Sequence, residues 1–149
     1  MADKKKYVRD KRSPTPSSEN VSKVMSNNKG KDTKPELLLR TLLWKNGIRG
    51  YRIHPKKIPG KPDVCFISRK VAVFINGCFW HRCTYCNYKL PKQNKQFWEN
   101  KFSNNVRRDK EKIMQLKKMK WKVINVWECQ LKKHKVDKTL NSIIRKIGY

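Results

Sequence analysis

The sequence predicts an α/β domain in which a small mixed central sheet is flanked by helices. Three observations carry that expectation. The chain has 149 residues, about one domain's worth. Its hydrophobic content of 37%, with 10% aromatic residues, allows a modest core and excludes a chain disordered throughout. Two short β-rich runs, a long helical pattern, a third β-rich run and a closing helical pattern then follow in order, the alternation that lays helices over a sheet.

Residues 1–31 read as a flexible basic arm rich in Ser, Pro, Asn and Lys, and residues 32–149 as the folded domain. Thr33-Lys34-Pro35-Glu36 opens the first helix as a capping box, with Thr33 as N-cap and Glu36 at the third position. Leu38, Leu39, Leu42 and Leu43 form its buried stripe, and Asn46-Gly47 stops it. Ile58–Pro62 is a turn, Asp63–Ser68 a strand, and Val71–Asn76 a second strand apolar enough to be central. Gly77–Asn87 is a cysteine-rich loop. From Lys95 to Lys118 the period is helical, with Trp98, Phe102, Val106, Ile113 and Leu116 on one face and a break expected near Ser103-Asn104. Trp121–Trp127 is a third strand, and Val136, Leu140, Ile143, Ile144 and Ile147 mark the last helix.

Charge narrows the function. Lys and Arg number 38 against 11 Asp and Glu, a formal charge of +27. Such an excess repels itself unless a polyanion neutralises it, and nucleic acid is the polyanion that fits. No apolar run approaches the ~18–20 residues of a membrane span, and the N-terminus lacks the apolar stretch of a signal peptide, so a cytoplasmic protein is expected.

Five cysteines occur, and a disulfide framework does not suit such a compartment. Cys78, Cys83 and Cys86 lie within nine residues, and Cys129 follows the third strand. Four thiolates so spaced suit tetrahedral Zn²⁺. An iron–sulfur cluster is the rival, because the same spacing occurs in ferredoxins, although Phe79, Trp80, His81, Arg82 and Tyr85 crowd the intervals. His134 and His54 read as ordinary surface or core histidines, although His134 could compete for the metal, and Cys65 reads as a small core residue.

With so few acids, a buried one is informative. Asp63 begins a strand, Asp109 points along the apolar side of its helix, and Glu36 sits in a first turn. Each has a structural explanation as turn end, arginine partner or cap. A carboxylate that must approach phosphate is better explained by Mg²⁺, and Asp63 is the candidate. His81, inside the cysteine loop, is either structural or a base for an attacking water. Phe79 and Trp80 are either core plugs or a wedge between bases.

Together these blocks resemble the very-short-patch repair (Vsr) endonucleases. Lys31–Glu36, Pro59-Gly60-Lys61-Pro62-Asp63, Gly77-Cys78-Phe79-Trp80-His81, Phe97-Trp98 and Val126-Trp127-Glu128-Cys129 occur in the family's order, over about residues 20–130. The resemblance implies a restriction-endonuclease-like core with a structural zinc. It implies Mg²⁺-dependent nicking of duplex DNA 5′ to the thymine of a T:G mismatch left by deamination of 5-methylcytosine. It further implies a monomer in a prokaryotic cytoplasm, associated with the nucleoid and functionally linked to a cytosine-5 methyltransferase. By the same resemblance Asp63 is the metal-binding aspartate, His81 the general base, Asp109 its supporting acid and Glu36 a further acid needed for activity. Phe79, Trp80 and Met25 intercalate, Lys101 and Asn105 contact the mismatched pair, and Cys78, Cys83, Cys86 and Cys129 hold the zinc. The chain departs from the pattern at Ile75-Asn76, where relatives often carry Thr-His, or an aliphatic residue followed by Asp. Ile75 would offer its carbonyl to Mg²⁺, and Asn76 a carbonyl oxygen without charge. Two alternatives therefore stand beside the repair reading: a restriction-associated nickase of other specificity, and a catalytically weak mismatch-binding protein.

Overall fold

A strand buried along almost its whole length needs cover on both faces, and Val71–Asn76 is such a strand. The computed structural model describes residues 14–16 and 18–149, apart from the side chains of residues 25 and 26. Its elements are α1 (Glu19–Ser26), α2 (Lys34–Lys45), β1 (Val64–Phe66), β2 (Val71–Asn76), α3 (Lys95–Lys118), β3 (Lys122–Trp127) and α4 (Val136–Ile147). A 3₁₀ turn, Glu128–Leu131, follows β3. Among the described residues no helix is long and apolar enough to cross a membrane.

The sheet is mixed, in the order β1-β2-β3. β2 lies between an antiparallel neighbour, with Val64 opposite Val73, and a parallel one, with Ile75 opposite Val126 and Asn76 opposite Trp127. Parallel strands need a long crossover, and α3 supplies it. Alternation along the strands then sorts the core into two sides. Val64, Val71, Val73 and Val126 pack with Leu39 and Leu43 of α2 and Leu140, Ile143 and Ile147 of α4. Cys65, Ala72 and Phe74 pack with Leu116 of α3 and Trp121. Each large side chain so buried contributes about 1.5–3 kcal/mol, which makes these two layers the main stabilising term.

Several expectations change in detail. Leu38 is 40% exposed, so the stripe of α2 is Glu36, Leu39 and Leu43, spaced three and four residues apart, with Leu42 half-buried beside it. Thr33 is the N-cap, but no capping box forms. Its hydroxyl instead donates to Glu36 Oε1 at 3.0 Å, while the Asp32 N–H donates to Glu36 Oε2 at 2.8 Å. β1 is three residues long because the chain turns at Ile67–Lys70, where the Lys70 N–H closes onto the Ile67 carbonyl. α3 runs unbroken through Ser103 and Asn104, whose polar side chains lie on its exposed side. β3 begins one residue late because Trp121 packs into the α3 layer. In the stretch read as an arm, residues 19–26 form α1.

Candidate active site and metal centre

A cleft of about 1070 Å³ opens where β1 and β2 come apart, bounded by the loop before α2, the Gly60 turn and the segment after β2. Asp63 stands at the parting. Its N–H still donates to the Val73 carbonyl at 3.0 Å, but its Oδ2 accepts the Ile75 N–H at 2.7 Å. The side chain thereby replaces the next rung of the ladder. Because N–H and C=O of one residue leave a strand on the same edge, the Ile75 carbonyl shares this edge with the carboxylate. Burial pushes the Asp63 carboxyl above its usual value, against the pull of the Ile75 amide. A carboxylate beside a backbone carbonyl is a donor set that suits a hard divalent cation. Asn76, buried at the end of β2, lines the same cleft.

Glu36 and Asp63 do not bond each other; they meet through His54. Its Nε2 lies 3.1 Å from Asp63 Oδ1 and 3.3 Å from Glu36 Oε2. Arg40 secures the other side of Glu36, donating to Oε2 at 3.1 Å and to Asp32 Oδ1 at 2.6 Å. His54 was read from sequence as an ordinary histidine. The predicted Ile58–Pro62 turn was the signal that could have found it, since a turn there brings the residues flanking it together.

The opposite wall carries His81 and Asp109. β2 ends at Asn76, and the His81 N–H closes a turn onto the Gly77 carbonyl at 3.1 Å. His81 Nδ1 then lies 2.5 Å from Asp109 Oδ2 on α3, which leaves Nε2 as the outward nitrogen. Asp109 Oδ1 accepts from Lys112 Nζ at 2.8 Å. Burial raises the Asp109 carboxyl, but the His81 and Lys112 contacts outweigh it and hold it below its usual value. Lys112 also places its ammonium 4.3 Å over the Phe74 ring. Its stem passes so close to Gly60 that a Cβ there would lie 2.8 Å from Lys112 Cδ, and Gly60 has φ 74°; only glycine fits both demands. Sequence reasoning missed Lys112, because nothing in a lysine-rich helix marks one lysine as turned inward.

Beyond His81 the loop returns to the sheet end. Cys78, Cys83, Cys86 and Cys129 bring their sulfurs within 4.8 Å of one another, and none is in a disulfide. Cys83 and Cys129 sulfurs are 3.8 Å apart, the edge of a tetrahedron with metal–sulfur bonds of ~2.3 Å. The Cys129 N–H donates to Cys78 Sγ at 3.3 Å, a contact that favours a thiolate. Burial raises the Cys78 and Cys129 thiols. At Cys83 the burial effect is outweighed by the Cys86 and Tyr85 amides and neighbouring sulfurs, and the thiol is lowered. Four sulfurs gathered this closely are a donor set for a soft or borderline cation, and the four could hold a metal ion. His134 is exposed and stands outside this set, and Cys65 is fully buried in the core.

Phe79 meets Trp80, Tyr88, Trp98 and Phe102 edge-on, and Trp80 borders both the cleft and a groove against α1. Asn105 Nδ2 donates to the Trp80 carbonyl at 3.1 Å, and Lys101 Nζ sits 5.3 Å from the Trp80 ring centre. Both residues brace the aromatic pair. The side chain of Met25 lies outside the described residues.

A family model described as DNA mismatch endonuclease Vsr matches residues 15–87, which contain Glu36, Asp63 and His81. The type II nicking enzyme V.NmeAIP of Neisseria meningitidis serogroup A is 41% identical over 125 residues, covering 83% of this chain and 89% of that protein. The chain belongs to the Vsr family. Other Vsr relatives include the type II nicking enzyme V.XorIIP of Xanthomonas oryzae pv. oryzae, 39% identical over 72% of this chain and 79% of that one. DNA mismatch endonuclease Vsr of Escherichia coli strain K12 is 35% identical over 68% of this chain and 65% of its own. This Vsr chain is a DNA endonuclease, a hydrolase of phosphodiester bonds, and the cleft is its candidate active site.

Proposed function

We propose that this endonuclease nicks duplex DNA 5′ to the T of a T:G mismatch, using Mg²⁺, with Zn²⁺ as the ion of the cysteine set. The observation that carries the reading is the pairing across one cleft of an Asp63–Ile75 donor edge with a His81 whose Nδ1 is held by Asp109. Asp63, the Ile75 carbonyl and Asn76 would hold Mg²⁺, which when bound polarises the scissile phosphate and stabilises the leaving oxygen. His81 Nε2 takes a proton from the attacking water. Asp109 fixes the ring through Nδ1, and Lys112 helps keep Asp109 ionised. The hydroxide forms the new P–O bond as the bridging P–O bond breaks, so one strand is cut. The +27 charge neutralises phosphates and makes binding strongly salt-dependent. Trp80, with Phe79 edge-on against it, enters the duplex where a wobble pair is cheapest to unstack.

The same reading takes the mixed sheet as a restriction-endonuclease-like core and residues 1–31 as an arm that joins the DNA contact. It takes the protein as a monomer acting on the nucleoid in a prokaryotic cytoplasm, with a functional link to a cytosine-5 methyltransferase. The names of the relatives favour a second reading, a nickase of other specificity belonging to a restriction system.

End-labelled duplexes carrying T:G, every other mismatch or none, incubated with Mg²⁺, distinguish the two. A cut confined to the T strand of T:G is expected; cutting of matched duplex selects the second reading. Asn76→Asp adds a carboxylate to the donor set and is expected to lower the Mg²⁺ concentration for half-maximal nicking by roughly 3–10-fold. An unchanged Mg²⁺ dependence would remove Asn76 from the site.

A further inference from the structure

We propose that His54 is a positioning residue of the active site, and that Glu36 acts on the reaction through it. The proposal rests on the reading of Asp63 as the metal-binding carboxylate. Glu36 is buried, and its oxygens are already engaged: Oε1 by Thr33, and Oε2 by the Asp32 amide, Arg40 and His54. Oε2 thus carries three partners and Oε1 one. Glu36 lines the cleft and meets Asp63 through His54 Nε2, which lies within reach of both carboxylates. A nitrogen facing two carboxylates must carry a proton, so His54 donates there and cannot serve as the base for water.

The geometry shows what this accomplishes. Asp63 Oδ1 is held by His54 and Oδ2 by the Ile75 amide, so both torsions of the side chain are set before any cation binds. Without His54, Asp63 would keep one anchor and could swing about it. His54 is itself held from behind, its N–H donating to the Pro62 carbonyl at 3.1 Å with the backbone at φ 46°. A non-glycine residue in that region carries strain that the surrounding contacts must impose. The series Arg40, Glu36, His54, Asp63 thus ties the first turn of α2 to the edge of β2.

Four variants of the full chain test it: His54→Ala, His54→Gln, Glu36→Ala and Glu36→Ala/His54→Ala. The gln side chain can place an N–H near the position of Nε2. On whichever duplex the parent cuts, His54→Ala is expected to lose roughly 10–100-fold in single-turnover rate and to need more Mg²⁺. Its affinity for the same duplex without metal should stay within about twofold, and His54→Gln should recover most of the loss. Because the two residues act in series, Glu36→Ala/His54→Ala should be no slower than the worse single variant. A His54→Ala rate within about twofold of the parent, or losses that add, would overturn the proposal.

A readout without activity or metal accompanies these. In ¹⁵N-histidine spectra of the parent, Nε2 of His54 is expected to carry a proton whose signal shifts in Glu36→Gln; an unprotonated Nε2 overturns the proposal. Calorimetric binding of Mn²⁺ should weaken in His54→Ala alongside the rate, and an unchanged affinity counts against it. A parent that cuts only matched DNA would refute the mismatch reading while these ratios remain readable on matched DNA.

Discussion

Replacing His81 by alanine is expected to slow nicking by roughly 10²–10⁴-fold, the usual contribution of a positioned general base. Asp109 is committed to His81 and Lys112, and His54 faces two carboxylates. Binding of duplex should hold, since one neutral-to-cationic ring contributes little beside the +27 background. Asp109→Asn should cost less, because an amide oxygen still accepts from Nδ1 and keeps the ring oriented. Asp109 is held below its ordinary carboxyl value, so its pairing is present above that ordinary value and is lost only as pH falls through the lowered one. Single-turnover nicking beside anisotropy binding separates the two variants. A His81→Ala rate within about threefold of the parent would take the base role from His81.

Removing the metal from the cysteine set is the second large effect. Cys83→Ser, or dialysis against a strong zinc chelator, is expected to lower Tm by roughly 10 °C, a few kcal/mol for a chain of this size. The site closes a loop whose own residues supply little core: Tyr85 is 70% exposed and Tyr88 46%. What the loop does bury is largely sulfur, at Cys78 and Cys83, with Cys129 closing the set from the far side of β3. Without the ion these sulfurs cannot all be thiolates, and the geometry that seats His81 three residues after Cys78 is released with them. Nicking should therefore fall together with Tm. Elemental analysis should find one zinc per chain. A brown preparation absorbing in the visible would instead identify an iron–sulfur cluster, and an unchanged Tm would leave the cysteines without a structural metal.

Much of this was legible before any coordinates, for identifiable reasons. Val71–Asn76, Lys95–Lys118 and Val136–Ile147 keep the bounds read from sequence because long apolar periodicity survives tertiary context. The cysteine spacing marked its own cluster, since ligands close in sequence must be close in space. Two kinds of feature were hidden. Leu38 and Glu36 exchange their expected places because the stripe of α2 starts two residues earlier than four leucines suggest. His54 and Lys112 gain their roles only from partners on other elements. A histidine nine residues before an aspartate, or one lysine among many on α3, has no local pattern that separates it from its neighbours. The two carboxylates were visible singly; that a histidine joins them was not.

The order of the chain gives the cysteine cluster a consequence for how the protein folds. Cys78 and Cys129 sit 51 positions apart, each just past the end of one of two parallel strands, so the loop between them contains the α3 crossover and β3 itself. Parallel pairing is slow because its loop must close before any rung rewards it, at an entropic cost of about 3.5 kcal/mol for that length plus a constant. An ion that gathers both ends makes that closure early, leaving β2 and β3 only to align. The rate of refolding, as well as the final stability, would then depend on how soon the metal arrives.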